Sequence, residues 1–171
     1  MNQSFWNKAA PYGIILALIT ILFTVVQTVL PLKGSFYLFM MWFLKLAATL
    51  GFLFYVMKDF GKNLESYAYK DAFTFGLAVS ACSSIIAAAY YYLHAVFLFP
   101  DSINQFTNAM LEGFEQAGVM DAGFDIGKFL TRMPVILTIT QLIYYNVLGL
   151  LWSSLLANGA KHKIEKTPFD L

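Results

Sequence analysis

The sequence has 171 residues, of which 59% are hydrophobic and only 12% are charged. An ordinary soluble domain has roughly 45–50% apolar and about 25% charged residues, so this composition is typical of a membrane protein. The net charge of +1 excludes the strongly basic surface of a nucleic-acid-binding protein. The single cysteine, Cys82, excludes a disulfide framework and a cysteine-based metal site.

Four apolar stretches are long enough to cross a bilayer, which takes about 20 residues. They cover residues 12–30, 36–57, 72–99 and 134–156. The first exceeds the apolar region of a signal peptide and is followed by no small-residue cleavage site, so we expect it to be retained. The predicted fold is all-α: a single four-span membrane domain over residues 1–171, built as two tandem helical hairpins.

Prolines punctuate the predicted spans. Pro11 and Pro134 lie where spans are expected to start, because a proline in the first helical turn loses no hydrogen bond. Pro31 and Pro100 lie just past the ends of the first and third spans.

Basic residues predict the orientation of the spans. With four spans, both termini and the middle loop share one side, and that side carries most of the basic residues. Cytoplasmic segments are enriched in Lys and Arg, so both termini are expected in the cytoplasm. The shared side holds Lys8, Lys58, Lys62, Lys70, Lys161, Lys163 and Lys166, whereas the opposite side holds Lys33, Lys128 and Arg132.

A long external loop, residues 100–133, connects the last two spans. Apolar residues at helical spacing predict a helix there, with Asp101 or Ser102 as its N-cap. Gly118 and Gly123 break the pattern before a short second helix that runs into the last span. We expect an amphipathic cover on the outer membrane face, and the alternative is a docking surface for a partner. The spaced residues are Ile103, Phe106, Met110, Phe114 and Ala117, then Phe124, Phe129, Leu130 and Met133.

The third span carries a stripe of small residues spaced four apart, which share one helix face. The stripe consists of Ala72, Gly76, Ser80, Ser84 and Ala88. Small residues let helix backbones approach closely in lipid, so the stripe predicts a helix-packing seam. The alternative is that Ala, Ser and Gly are simply common in spans. Val79 lies off the stripe and is expected to tolerate a larger side chain.

The two halves of the sequence resemble each other. Gly51 and Gly61 bracket the end of the second span, and Gly149 and Gly159, again ten apart, bracket the end of the fourth. The first and third spans both open with small residues four apart: Ala9, Gly13 and Ala17, and Ala72, Gly76 and Ser80. The pattern suggests a duplicated hairpin, although short apolar patterns also match by chance.

Lys45 differs from the other basic residues because it lies within the core of a predicted span. An ionisable residue in that position is a candidate functional site by default. Span midpoints put Thr20, Lys45, Ser84 and Asn146 at one depth, which predicts a candidate midplane polar cluster. No Asp or Glu lies in any span core. Lys45 therefore has either a structural or snorkelling role, or it meets an anionic lipid or a partner's carboxylate.

The two histidines do not indicate a catalytic or metal site. His94 follows three tyrosines and is expected at the outer membrane interface, and His162 is expected to be solvated in the lysine-rich tail. Without a second cysteine or paired carboxylates, they form no metal or nucleophile site. No cofactor is expected.

Three segments carry a resemblance to a known family. They are Ser4-Phe5-Trp6 with Lys8, residues 66–73 with Gly76-Leu77, and the tyrosine-rich segment that leads to Phe99-Pro100-Asp101. With them the chain resembles a family of small four-span bacterial membrane proteins known only as domain of unknown function 4199. The resemblance implies a bacterial inner-membrane location and an uncharged second span, from which Lys45 departs. The resemblance also implies genes that lie beside those of polyprenyl-phosphate-type glycosyltransferases, and so an envelope role.

Two functions are compatible with these features. The first is a non-enzymatic accessory or scaffold subunit of a cell-envelope lipid or glycan system, partnered with a membrane enzyme such as a polyprenyl-phosphate glycosyltransferase. The second is a small homo-oligomeric transporter or lipid-handling protein that uses the midplane polar cluster. An enzyme is the third choice, since no catalytic cluster is apparent.

Overall fold

The computed structural model of the protein describes residues 3–30, 34–62, 64–118 and 126–163. These residues form five α-helices, one π-helical segment and two strands of two residues each. The predicted all-α class is confirmed. The elements are α1 (Gln3–Val29), α2 (Ser35–Gly61), β1 (Ser66–Tyr67), α3 (Tyr69–Leu93), the π-helical segment His94–Leu98, α4 (Pro100–Gln116), α5 (Ile126–Ala160) and β2 (His162–Lys163).

Four of the helices are long and apolar enough to cross a membrane, which confirms the four apolar helices predicted from the sequence. Their apolar segments are Phe5–Val29, Ser35–Gly61, Tyr69–Leu98 and Lys128–Ala160. The third is the most enclosed. In its most apolar 18-residue stretch 50% is buried, against 11% in the corresponding stretch of α2 and 6% in that of α5.

The chain forms two compact units. The larger unit contains residues 1–87 and 144–171, and the smaller unit contains residues 88–143. The larger unit therefore holds α1, α2, most of α3, the second half of α5 and both strands.

Four helix ends meet at one end of the larger unit. The Tyr12 hydroxyl of α1 donates to Asp59 Oδ2 of α2 at 2.7 Å, and the Tyr69 and Ser154 hydroxyls of α3 and α5 lie 3.1 Å apart. Strand β1 pairs antiparallel with β2, so Tyr67 lies opposite His162. The start of α1 is thereby joined to the end of α2, and the start of α3 to the end of α5, while Phe60 of α2 stacks on Phe75 of α3 and connects the two pairs. We call this region the strand end.

Aromatic rings fill the core of the strand end. Phe60 and Phe75 stack with centroids 4.0 Å apart, and Phe5 packs edge-on against both at 5.8 and 5.6 Å. Tyr67 is fully buried beside Gly61, where only a hydrogen leaves room for its ring. Burial raises the pKa of Tyr67, so its hydroxyl stays protonated at neutral pH. Each aromatic pair adds about 0.5–1.5 kcal/mol beyond the area that it buries.

The small-residue stripe of α3 is buried along its length. Its residues are Ala72, Gly76, Ser80, Ser84 and Ala88. Helix α5 approaches the stripe at two points. A Cβ added at Gly76 would lie 2.9 Å from Ser153 Oγ, and one added at Gly149 would lie 2.5 Å from Ser80 Cβ. The backbones of α3 and α5 are therefore as close as small side chains permit.

Helix α1 packs against a second face of α3. A Cβ added at Gly13 would lie 2.5 Å from Cys82 Cβ and 3.0 Å from the Val79 carbonyl oxygen. Val79 is fully buried, so it does not serve as an exposed reference position off the stripe, and its tolerance of a larger side chain stays a prediction. The four-residue spacing identified one small-residue face of α3, but α3 packs through two.

In the smaller unit, α4 begins at Pro100, with Phe99 as its N-cap. The prediction of Asp101 or Ser102 as N-cap is therefore wrong, because proline occupies the first turn at no cost in hydrogen bonds. The helix ends before Gly118, whose φ of +66° suits glycine. Phe114 of α4 contacts Phe129 of α5, with centroids 6.1 Å apart. Gly123 and Phe124 lie outside the described residues.

Two prolines lie inside helices rather than at their starts. Helix α1 begins at Gln3, before Pro11, and α5 begins at Ile126, before Pro134. The short helix predicted ahead of the last span is thus the first part of α5. Each proline removes one backbone hydrogen bond, a loss that an apolar helix tolerates where neighbouring groups satisfy the freed carbonyl. Pro31 lies outside the described residues.

Candidate functional site

A cavity of about 170 Å³ lies within the larger unit, among residues of all four long helices. The cavity is half open to the surface, so it is a cleft between the helices and not an enclosed void. Its walls are mostly apolar, with Leu16, Leu46 and Leu53 among them. The residues with polar groups on the walls include Thr20, Lys45, Thr49, Ser80, Ser83, Ser84 and Tyr145.

Lys45 brings a cation to the cavity. Its Nζ lies 3.4 Å from the Tyr145 hydroxyl and 5.8 Å from the centroid of the Tyr145 ring. No carboxylate in the described ranges lies within ion-pair distance of this ammonium. The hydroxyl contact is long for a hydrogen bond. Tyr145 is uncharged, so its ring and hydroxyl orient Lys45 but supply no counter-charge.

Ser84 and Asn146 form a hydrogen-bonded pair beside the cavity. Asn146 Nδ2 donates to Ser84 Oγ at 2.8 Å, and Ser84 Oγ donates to the Ala81 carbonyl, also at 2.8 Å. Ser84 is only 1% exposed. The pair joins α3 to α5 through a polar contact within an apolar packing surface, where such bonds contribute about 0.6 kcal/mol on average.

The structure brings the four residues of the predicted midplane polar cluster to one region. Thr20, Lys45 and Ser84 line the cavity, and Asn146 reaches it through Ser84. The Thr20 hydroxyl donates to the Leu16 carbonyl at 3.1 Å, one turn back in its own helix. That the four form a functional site stays a prediction.

Three polar residues of the cavity were missed: Thr49, Ser83 and Tyr145. Tyr145 adjoins Asn146 in sequence. Thr49 lies one helical turn after Lys45, and its hydroxyl donates to the Lys45 carbonyl at 2.9 Å. The four-residue spacing of Lys45 and Thr49 was the available signal, since such residues share a helix face.

The cavity opens at one side of the larger unit. Its lining includes Trp42 of α2 and Tyr144 of α5, which are 54% and 50% exposed. Towards the strand end it is bounded by Leu53 and Leu16, which are 3% and 7% exposed.

Two further polar groups have structural explanations. Lys62 Nζ lies 3.3 Å from Asp59 Oδ1 at the exposed strand end, where such a pair contributes little. His94, expected at the membrane interface, is 3% exposed in the π-helical segment, with Nδ1 3.2 Å from the Tyr90 hydroxyl. The side chain of His162 lies outside the described residues. In those that are described, no group of three His, Cys, Asp or Glu residues could hold a metal ion.

Comparison with known proteins identifies a family. The family described as "Protein of unknown function (DUF4199)" matches residues 11–158, which include every residue that lines the cavity. The chain belongs to this family. No curated protein and no solved structure matches it. Membership of DUF4199 confirms the resemblance seen in the sequence but assigns no activity.

Proposed function

We propose that the protein is a multi-pass protein of the bacterial cytoplasmic (inner) membrane, with its spans arranged as two tandem hairpins. Helices α1 and α2 would form the first hairpin, and α3 and α5 the second. Four long apolar helices support insertion, since each exceeds the roughly 20 residues that a bilayer requires. Both termini and the strand end face the cytoplasm in this arrangement. The basic residues Lys58, Lys62 and Lys70 near that end support the orientation.

Within that membrane the protein acts as a non-enzymatic accessory subunit of a cell-envelope lipid or glycan system, and it holds an amphiphilic molecule in its cavity. The cavity among α1, α2, α3 and α5 is the observation that supports this role. Its apolar walls suit a hydrocarbon chain, and its ammonium and hydroxyl groups suit a polar head by hydrogen bonding. Its opening beside Trp42 and Tyr144 faces the hydrocarbon of the bilayer, from which an amphiphile can enter.

The envelope system is supported by the family resemblance rather than by geometry. That resemblance implies a membrane enzyme, such as a polyprenyl-phosphate glycosyltransferase, as the partner. An accessory subunit that holds a lipid beside such an enzyme would supply or retain a hydrophobic substrate without chemistry of its own.

A matched pair of substitutions in α3 tests this function. Ala87 lines the cavity and is 5% exposed, so Ala87→Leu would fill part of the volume. Ala89 is exposed on the same helix, so Ala89→Leu adds the same side chain outside the cavity. Each variant is purified from native membranes in mild detergent, and co-purifying lipids and proteins are measured by mass spectrometry. We expect wild type and Ala89→Leu to retain a lipid that Ala87→Leu loses.

Stability must be measured on the same samples, because overpacking costs about 1–3 kcal/mol. Thr49→Phe provides a second obstruction of the cavity, from α2 instead of α3. Retention of the wild-type lipid by folded samples of both obstructed variants would show that the cavity holds no amphiphile.

A further inference from the structure

We propose that the cavity binds the oxyanion of an anionic membrane amphiphile, a phosphate or carboxylate head group, with the Lys45 ammonium as its principal donor. This inference rests on the proposed function, in which the cavity holds an amphiphile, and it names the chemical class of the occupant.

The charge of Lys45 is the first argument. A charged lysine near the centre of a span is costly, and such residues pair with another group when they can. In the described part of the chain no carboxylate is within ion-pair distance of Lys45 Nζ. An oxyanion in the cavity would supply the missing counter-charge at the place where the ammonium is already held.

The placement of Lys45 is the second argument. Its side chain lines the cavity, and the Tyr145 ring and hydroxyl hold its Nζ on that wall. An ammonium has three donors, and the 3.4 Å contact to Tyr145 accounts for at most one. Tyr145 lines the same cavity and positions Lys45, so its hydroxyl lies on the wall beside the proposed head group.

The walls around Lys45 indicate an amphiphile and not a free anion. Lys45 lies roughly 15 Å along α2 from the start of the predicted second span, at 1.5 Å per residue, so it lies far from the membrane surface. Leu16, Leu46 and Leu53 line the same cavity, and its opening is bordered by the exposed rings of Trp42 and Tyr144. A free phosphate would leave these apolar walls without contacts, whereas an acyl or prenyl chain covers them.

Binding of defined ligands tests the proposal. Purified full-length protein in a neutral detergent is titrated with phosphatidylglycerol, oleate, phosphatidylcholine or inorganic phosphate, and binding is followed by native mass spectrometry. We expect phosphatidylglycerol or oleate to bind wild type and to bind Lys45→Met at least roughly tenfold more weakly, as for the loss of a charged hydrogen bond. Lys45→Arg should recover part of that affinity. Inorganic phosphate should bind wild type no better than it binds Lys45→Met. Phosphatidylcholine, whose phosphodiester charge is compensated by its own choline, should lose less affinity in Lys45→Met than phosphatidylglycerol does.

Lys58→Met is the matched control, because Lys58 is an exposed lysine of the same helix outside the cavity. It should keep wild-type affinity for the anionic lipids. Equal binding of those lipids by wild type and Lys45→Met would overturn the inference. Binding of inorganic phosphate as tight as that of phosphatidylglycerol would overturn it too, since the hydrocarbon chain would then contribute nothing.

The two proposals fail in different ways. If Ala87→Leu removes a bound lipid whose affinity does not depend on Lys45, the cavity holds an amphiphile but not through its oxyanion. If neither Ala87→Leu nor Lys45→Met alters the bound lipid, the proposed function fails as well.

Discussion

Two glycines of α2 have opposite surroundings. A Cβ added at Gly61 would collide with the ring of Tyr67, which is fully buried and cannot move aside. A Cβ added at Gly51 would meet nothing within 4 Å. The ten-residue spacing that linked these glycines to Gly149 and Gly159 therefore does not imply equal roles. Gly61 lets the ring of Tyr67 pack against the helix, whereas nothing packs against Gly51.

This difference predicts the effect of a single methyl group. Gly61→Ala should lower the stability of the protein by about 1–3 kcal/mol, the usual cost of overpacking. Gly51→Ala should leave it unchanged or raise it by about 0.5–1 kcal/mol, because alanine favours a helix. Thermal unfolding in detergent compares the two variants. Equal midpoints for both would mean that Tyr67 does not pack on Gly61 as described.

Whole elements were easier to predict than their contacts. Long runs of apolar residues predicted the four apolar helices, because a helix satisfies all the backbone hydrogen bonds of such a run within the segment itself. The pairing of β1 with β2 could not be predicted, since two-residue strands carry no alternating pattern. The π-helical segment His94–Leu98 could not be predicted either, because its sequence would fit a continuation of the α-helix equally well.

The sequence predicted the level of the candidate site along the helices, but not which face each helix turns towards its neighbours. Counting residues from span ends put Thr20, Lys45, Ser84 and Asn146 at one level, because a helix rises by a constant amount per residue. The side that each helix turns towards its neighbours depends on packing, which the sequence does not give. Tyr145 and Thr49 were missed for that reason, and Val79 was misplaced because the packing of α1 was unknown.

The seam of α3 gives a prediction at the scale of elements. Ser84→Leu would insert a large side chain where Ser84 is 1% exposed, and it would remove the acceptor of Asn146. We expect a loss of about 1–3 kcal/mol, to which the lost hydrogen bond adds. Ala89→Leu is the control, since Ala89 is exposed on the same helix. Val79→Leu is unsuitable because Val79 is buried. Equal thermal stability of Ser84→Leu and Ala89→Leu would exclude close packing at Ser84.

At the scale of the whole molecule, the helix ends that meet predict how the chain would lie in a membrane. The strand end joins the start of α1 to the end of α2 through Tyr12–Asp59, the end of α2 to α3 through the Phe60–Phe75 stack, and the start of α3 to the end of α5 through Tyr69–Ser154 and the β1–β2 pair. Segments that pair in this way must lie on the same side of a bilayer. Most of the basic residues belong to these segments, so the charge pattern predicts a cytoplasmic strand end.

Labelling of introduced cysteines in whole cells tests that orientation. Glu65 is exposed in the segment before β1, and Glu112 is exposed on α4 of the predicted external loop. A membrane-impermeant maleimide should label Glu112→Cys in intact cells and should label Glu65→Cys only after the membrane is permeabilised. The wild-type protein measures the background from Cys82, which is partly buried within a span. Labelling of Glu65→Cys in intact cells would show the opposite orientation. A cytoplasmic partner could then not reach the strand end.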